Sequence, residues 1–173
     1  MSADGNTNLN DVDFDSVAGL VGKIQEEPDV ADTKWSAHVK WKGGFRSEAT
    51  VRDFGPIVSD EPPGLGGTNE GPNPVEQVLA ALGNCLAVGY AANATAAGIE
   101  IKDLSIDLEG DIDLHTFLGL KEGNAGYSGI SVKVNIDSDA SAKDLQAIHD
   151  KVINTSPVGH TLSRAVPVEI NLT

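Results

Sequence analysis

The chain has 173 residues and a mass of 18.0 kDa, which suggests one domain with a core of its own. Its 26 Asp and Glu residues outnumber its 12 Lys and Arg residues, so the formal charge is −14 and the pI is near 4.4. A surface of this sign repels a phosphate backbone, and we expect no nucleic-acid partner. Cys85 is the only cysteine, which excludes an intramolecular disulfide and a zinc site built from several thiolates.

The start of the chain predicts neither a secretory signal nor a membrane anchor. It reads MSADGNTNLNDVDFD, which is acidic and polar where a signal peptide needs a basic region followed by an apolar one. No stretch reaches the roughly 18 uncharged apolar residues that a membrane span requires. We therefore expect a soluble, cytoplasmic protein without a membrane partner. The acidity has two explanations, an ordinary solvated surface and a high-salt cytoplasm.

The first elements predicted along the chain are a tail and a helix. Residues 1–13 lack periodic apolar positions and predict a flexible acidic tail, so that a single domain spans 14–173. Apolar residues at helical spacing predict an amphipathic helix over 15–26, which ends before Pro28.

A β-hairpin and a long loop follow. Apolar and polar residues alternate on both sides of Gly43-Gly44, which predicts two strands joined by a turn at these glycines. Residues 55–74 contain many Gly and Pro residues and predict a long loop of the kind that is often functional.

The middle of the chain predicts a long helix. Asn73 is a suitable N-cap, Pro74 fits the first helical position, and Gly98 ends a segment rich in Ala and Leu. Because this segment has few polar residues on any side, the helix is expected to be buried in the middle of the fold.

The last third predicts two strands, two helices and a final strand. Alternating apolar residues over 99–114 and 130–136 predict an antiparallel pair. Ser141 and Ser156 are N-caps for two helices, and alternation over 166–172 predicts a last strand. This order of elements predicts an α+β fold with mainly antiparallel pairing.

Two strings resemble the OsmC/Ohr family of osmotically inducible and organic-hydroperoxide-resistance proteins: DEPPGLGGTNEGPNPVEQVLAALGNC and SPVGHTLSRAVPVEI. The most specific features are the Asn-Pro helix start about eleven residues before Cys85, and Ser156-Pro157-Val158, where the peroxidase members have Cys-Pro-Val. The resemblance extends from about Trp35 to the C-terminus. It implies an OsmC-like fold, in which antiparallel sheets surround a long buried helix, and an intertwined homodimer with two active sites at the subunit interface.

The resemblance also implies a mechanism. In the peroxidatic members a thiolate on the central helix attacks the peroxide, and an arginine near the first hairpin stabilises that thiolate. A glutamate at the helix start orients the arginine, and a second cysteine forms a disulfide that dithiols reduce. Cys85 matches the reactive cysteine, and Arg46 or Arg52 matches the arginine.

Two positions depart from the family pattern. The position of the glutamate is occupied by Val75, and Glu76 lies roughly 180° around the helix from Cys85. Glu48, between the two arginines on one strand face, is a candidate for the missing carboxylate, with a surface charge cluster as the alternative. The position of the second cysteine is occupied by Ser156, for which a helix N-cap is the structural interpretation.

Cys85 has two interpretations, an inert buried side chain and a reactive thiol whose pKa is lowered by a guanidinium. Because no second cysteine exists, a reactive Cys85 needs an external thiol or dithiol as reductant. No histidine pair has the spacing of a helical metal site, and we expect no metal and no other cofactor. His149 is placed on the outer side of its helix. His160 is either a surface residue or part of the same pocket as Ser156.

Two functions are therefore open. The first is a thiol-dependent peroxidase that reduces organic hydroperoxides through Cys85 in oxidative-stress defence. The second is an OsmC-like dimer that binds a small apolar or acyl ligand in its interface pocket without turnover.

Overall fold

The computed structural model describes residues 8–172. Within this range, residues 8–14 and 79–172 form a larger compact unit, and residues 15–78 form a smaller one. That both belong to one domain stays a prediction. The helices of the described chain are α1 (Phe14–Glu26), α2 (Pro74–Ala96), α3 (Leu114–Phe117), α4 (Ala142–Thr155) and α5 (Pro157–Ser163). The strands, all paired antiparallel, are β1 (His38–Gly43), β2 (Arg46–Thr50), β3 (Ile57–Ser59), β4 (Asp103–Asp111) and β5 (Gly129–Asp137).

The smaller unit contains the predicted helix and hairpin. The turn of the hairpin lies at Gly44-Phe45, one residue later than predicted, because Gly43 pairs with Arg46 after an irregularity in the register. Gly43 and Gly44 have φ values of 103° and 58°, which glycine adopts without the steric cost of a Cβ.

The predicted loop over 55–74 contains a short strand. β3 pairs with β2 and makes a sheet of order β1-β2-β3. The β-branched residues Ile57 and Val58 suit the free edge of β2, which a two-stranded hairpin leaves unpaired. The rest of the segment is irregular apart from a 3-10 turn at Pro63–Leu65.

The predicted strand position of Arg52 is wrong. β2 ends at Thr50, and Arg52 has a left-handed φ of 51° in the turn that follows. This turn is closed by a hydrogen bond from the backbone N–H of Phe54 to the carbonyl of Val51. Arg52 therefore does not share a strand face with Arg46.

The long helix α2 begins and ends as predicted. The side-chain oxygen of Asn73 accepts the backbone N–H of Glu76 at 2.9 Å, and a carboxylate oxygen of Glu76 accepts the N–H of Asn73 at 2.8 Å. This reciprocal arrangement is a capping box, so Glu76 stabilises the start of the helix. Beyond the last turn, Gly98 has a φ of 69°, the left-handed conformation common after a helix.

The core of the larger unit is formed by one stripe of α2. The buried residues of this stripe and of α4 are Leu82, Leu86, Tyr90, Ala94, Ile148 and Val152. The apolar face of β4 and β5 packs against them. The expectation that α2 is buried on every side is wrong for the single chain, because Val88, opposite the stripe, is 70% exposed. Within the larger unit, the other described elements cover one side of the helix.

The alternation that predicts a strand as far as residue 114 continues past the end of β4. β4 and β5 pair in unbroken register until Asp111 lies opposite Gly129. Two residues later the side chain of Asp113 accepts the backbone N–H of His115 and caps α3. A local capping interaction therefore ends the strand.

The predicted last strand is not formed. Residues 164–172 are neither helix nor strand. The exposed fractions of its alternating apolar residues rise along the segment, from 51% at Val166 to 77% at Val168 and 91% at Ile170. Alternation predicts a strand only where an adjacent edge is available for pairing.

Part of the predicted tail is docked on the larger unit, while residues 1–7 lie outside the described residues. The side-chain amide of Asn10 donates to the hydroxyl of Thr95 at 3.0 Å and to the carbonyl of Ile99 at 2.9 Å, and it accepts the N–H of Ile101 at 2.8 Å. The hydroxyl of Thr95 also donates to the carbonyl of Leu9 at 3.3 Å, so side-chain hydrogen bonds fix a segment that has no apolar periodicity.

Candidate functional site

The thiol of Cys85 has one close polar neighbour in the larger unit. Its Sγ lies 3.3 Å from the Oγ of Ser156. Ser156 is 5% exposed and caps α5 by accepting the backbone N–H of Gly159 at 3.0 Å, which confirms the predicted N-cap. Because the hydroxyl oxygen already accepts this bond, its proton is free to be donated to the sulfur. Ser156 is therefore both a helix cap and the neighbour of the thiol.

Cys85 itself lies in the middle of α2 and is half-buried. At this distance from the helix start the helix dipole contributes little to the thiolate. Activation of the thiol therefore depends on side chains that lie around it rather than on the helix.

The hairpin candidates belong to the smaller unit, and each has a partner there. Nη1 of Arg46 lies 2.8 Å from Oε1 of Glu70. Glu48 forms its ion pair with Lys42 at 3.0 Å. The guanidinium of Arg52 stacks 4.7 Å from the centre of an aromatic ring. A carboxylate does contact Arg46, but it is supplied by the loop rather than by the strand.

Glu70 is held in place by a buried carboxylate that the sequence did not reveal. Asp60 is 1% exposed and accepts hydrogen bonds from the hydroxyl of Thr68 at 2.6 Å and from the backbone N–H groups of Glu61, Thr68 and Glu70. The Thr68 hydroxyl above all, with the backbone donors, lowers the pKa of Asp60 to about 2 against the opposing effect of burial. The only sequence signal was that these residues lie in a loop predicted to be functional.

A cavity of about 220 Å³ lies in the larger unit between α2, β5, α4 and α5. Its aliphatic walls are formed by Leu82, Leu86, Val132, Val134 and Ile153. Its polar groups are those of Tyr90, His149, Ser156, His160 and Ser163. Ser156 therefore lies between this cavity and the thiol.

Two histidines line the cavity. The hydroxyl of Tyr90 is hydrogen-bonded to Nδ1 of His149, and burial raises the pKa of Tyr90. The expected outer position of His149 is wrong, because the long side chain of Tyr90 reaches it from α2. His160 lines the same cavity as Ser156, which was one of its two interpretations.

The structure gives little support for a metal site or for a membrane span. Between residues 8 and 172 no three His, Cys, Asp or Glu side chains are grouped as a metal site. The absence of a metal stays a prediction. By length and by a mean hydropathy of 1.3 over its most apolar stretch, α2 matches a membrane span. The core helix of a globular protein matches the same criteria, so this is weak evidence for a membrane.

Comparison with known sequences gives two matches. A family model for OsmC-like proteins matches residues 67–171. The uncharacterised protein YmaD of Bacillus subtilis (strain 168) is 27% identical over 146 residues, which cover 83% of this chain and 93% of YmaD.

Solved structures share the fold. An OsmC-like protein from Mycoplasma pneumoniae superposes with a TM-score of 0.66 at 22% identity, over 76% of this chain and 89% of that protein. An organic hydroperoxide resistance protein OsmC from Legionella pneumophila superposes with a TM-score of 0.55 at 16% identity, over 76% and 91%. Both support an α+β fold with antiparallel sheets and one long helix.

Proposed function

Because the chain belongs to the OsmC-like protein family, as its two motifs predicted, we propose that it is a cytoplasmic thiol-dependent peroxidase for organic hydroperoxides. The supporting observation is the 3.3 Å contact between Cys85 and Ser156, which are 71 positions apart in the sequence. By resemblance, these are the two positions at which the peroxidase members carry their cysteines. The chain has the first of these cysteines, Cys85, and Ser156 lies beside it at the position of the second.

The first step oxidises Cys85. Its thiolate sulfur attacks one oxygen of the hydroperoxide, the O–O bond breaks, and the alkoxide leaves as an alcohol after taking up a proton. The peroxide is reduced by two electrons and the sulfur becomes a sulfenic acid. The hydroxyl of Ser156 stabilises the thiolate by hydrogen bonding before this step.

The second step requires a partner molecule. Ser156 has no sulfur, so the sulfenic acid of Cys85 is resolved by an external thiol, which releases water and leaves a mixed disulfide. A second thiol group attacks that disulfide, regenerates Cys85 and leaves as the oxidised reductant.

We assign the thiolate-stabilising role to Arg46 and the orienting role to Glu70. The 2.8 Å ion pair supports this, as does the anchoring of the Glu70 backbone by Asp60. Glu48 is paired with a lysine, and Arg52 is held by aromatic stacking. Both are therefore weaker candidates than the Arg46–Glu70 pair.

We further propose that the protein is an intertwined homodimer, since members of this family are commonly dimeric. Two exposed apolar side chains support an interface: Trp35, just before the hairpin, is 79% exposed, and Trp41 in β1 is 72% exposed. In the dimer, Arg46 is expected to complete the site of Cys85 at the subunit interface. Light scattering in solution measures the mass, and a strictly monomeric protein would contradict this part of the proposal.

The test of the proposed function measures consumption of cumene hydroperoxide with a monothiol or a dithiol as donor. Cys85→Ser, an almost isosteric variant, is expected to lose turnover, while the native protein accumulates a trappable sulfenic acid when the donor is omitted. Equal turnover by Cys85→Ser would falsify the assignment of the nucleophile.

Charge variants of the hairpin test the assignment of the arginine. Arg46→Gln is expected to slow sulfenic acid formation about tenfold, because a neighbouring cation lowers a thiol pKa by about one unit or more. Glu70→Gln is expected to have a smaller effect in the same direction. Lys42→Gln removes the same charge from the same hairpin and is expected to leave the rate unchanged. A rate that falls equally in Arg46→Gln and Lys42→Gln would point to a general loss of positive charge rather than to a specific role of Arg46.

A second candidate function, ligand binding without turnover, is favoured by a separate observation. The cavity of about 220 Å³ is large enough for a small organic molecule and is mostly apolar. If the native protein forms no sulfenic acid with any peroxide, this function is the better proposal.

A further inference from the structure

We propose that the cavity of the larger unit binds a small monocarboxylate, with its hydrocarbon tail between the aliphatic walls and its carboxylate at Arg164 and His160. The proposal goes beyond peroxide reduction, because it requires neither the thiol of Cys85 nor turnover. It also gives the ligand-binding alternative a chemical class that experiment can test.

The size and the lining of the cavity determine how long the hydrocarbon tail of the ligand can be. Its volume is about 220 Å³, whereas an apolar cavity of about 150 Å³ accommodates benzene. The tail can therefore contain roughly nine carbon atoms at most. Leu82 and Leu86 close the inner end as part of the core, while Val132 and Ile153 are 39% and 48% exposed. The partly exposed pair leaves one end open for entry.

The charge at this site is supplied by an arginine that lacks an acidic partner. Arg46 is paired with Glu70, and Arg52 stacks on Phe54. Arg164 forms no ion pair with any residue between 8 and 172, and its side chain contacts His160, with Nη2 3.4 Å from Nε2. Because His160 lines the cavity, this guanidinium lies next to it.

A carboxylate is the group that fits this guanidinium, which donates to His160 and has further N–H groups. A guanidinium presents parallel N–H groups that match the two oxygens of a carboxylate. No Asp or Glu lines the cavity, so the anion meets no negative neighbour there. The chain as a whole has a charge of −14 and repels anions elsewhere on its surface. A neutral ligand would form no ion pair with Arg164, and a cation would be repelled by it.

The first arm of the test is calorimetric titration of the full chain with octanoate, hexanoate and 1-octanol. Octanoate is expected to bind about fifteenfold more tightly than hexanoate, since each buried CH₂ contributes about fourfold. Added salt is expected to weaken octanoate binding and to leave 1-octanol binding unchanged. Equal affinities for the two acids would overturn the placement of the tail, and absence of octanoate binding would overturn the whole proposal.

The second arm uses variants. Arg164 is exposed, so Arg164→Gln is expected to preserve the fold and to weaken octanoate binding at least about tenfold, without changing 1-octanol binding. Lys121→Gln removes one positive charge outside the cavity and is the matched control. Val132→Phe fills the cavity and is expected to abolish binding of both probes. Unchanged octanoate affinity in Arg164→Gln would overturn the role of the guanidinium. Cys85→Ser is expected to bind octanoate like the native chain, so loss of peroxidase activity and loss of binding remain distinguishable.

Discussion

Replacing Ser156 by cysteine is expected to turn the chain into a two-cysteine protein that forms a disulfide with Cys85 after exposure to peroxide. The Oγ of Ser156 already lies 3.3 Å from the sulfur of Cys85. A disulfide requires about 2.05 Å between its sulfur atoms, and the longer carbon–sulfur bond with a small side-chain rotation covers the difference. The expected reaction is attack of the new thiol on the sulfenic acid of Cys85, with release of water.

The expected size of the effect follows from the sequence separation. The two positions are 71 residues apart, and closing a loop of this length in the unfolded chain stabilises the folded state by about 4 kcal/mol. Cysteine is a poorer N-cap than serine, which costs about 1 kcal/mol in the free energy of unfolding. Reduced Ser156→Cys is therefore expected to be about 1 kcal/mol less stable than the native chain. The oxidised variant is expected to be about 3 kcal/mol more stable.

The assay is urea unfolding of the variant after treatment with cumene hydroperoxide or with a dithiol, together with a count of free thiols. Ser141→Cys is the matched control, because Ser141 caps α4 in the same way but lies about 21 Å away at the other end of that helix. It is expected to lose the cap and to gain nothing from peroxide. If peroxide-treated Ser156→Cys keeps both thiols and its reduced stability, the reasoning about the Cys85 neighbourhood is refuted.

Three further outcomes are expected. The hydroxyl of Thr68 above all lowers the pKa of Asp60 to about 2, so the stabilisation of the loop by Asp60 is complete above pH about 4 and is lost as the pH falls through about 2. Asp60→Asn should remove this acid dependence, which hydrogen exchange of the Thr68 amide measures. Tyr90→Phe should cost about 1 kcal/mol in urea unfolding through the lost bond to His149, and equal stability would contradict that bond. Asn10→Ala should cost about 2 kcal/mol in urea unfolding, and an unchanged midpoint would show that the hydrogen bonds of Asn10 contribute nothing.

Helix boundaries could be predicted because their signals are local. The cap at Asn73, the capping serines Ser141 and Ser156 and the terminating Gly98 each act within a few residues of their own position. No knowledge of the rest of the fold is needed for them to operate.

Strand ends could not be predicted from alternation, because a strand also depends on its neighbour. β4 ends opposite the first residue of β5, although the apolar alternation continues. The segment from Val166 onwards alternates in the same way and pairs with no strand in the described chain. The short strand β3 was missed for the opposite reason, since three residues are too few to show a period.

Part of the candidate site could be predicted from the sequence. Cys85 and Ser156 were singled out by their family motifs, and the structure brings them together. Glu70, His149 and Arg164 were not, because their relevance depends on which side chain lies next to each in space. Spacing along the chain carries no information about contacts of that kind.

The order of the chain within the two units has a consequence for synthesis on the ribosome. Residues 15–78 form one unit from contiguous sequence, whereas the other unit joins residues 8–14 to segments that begin at 79. At about 5–20 residues per second, the 85 residues from 79 to the end of α5 at Ser163 take about 4 to 17 s to be added. During that time the smaller unit has its complete sequence while the exposed Trp35 and Trp41 remain open to other nascent chains. The smaller unit has 11 Asp and Glu residues against 6 Lys and Arg residues, and this net charge of −5 repels neighbouring chains and so limits aggregation in this interval.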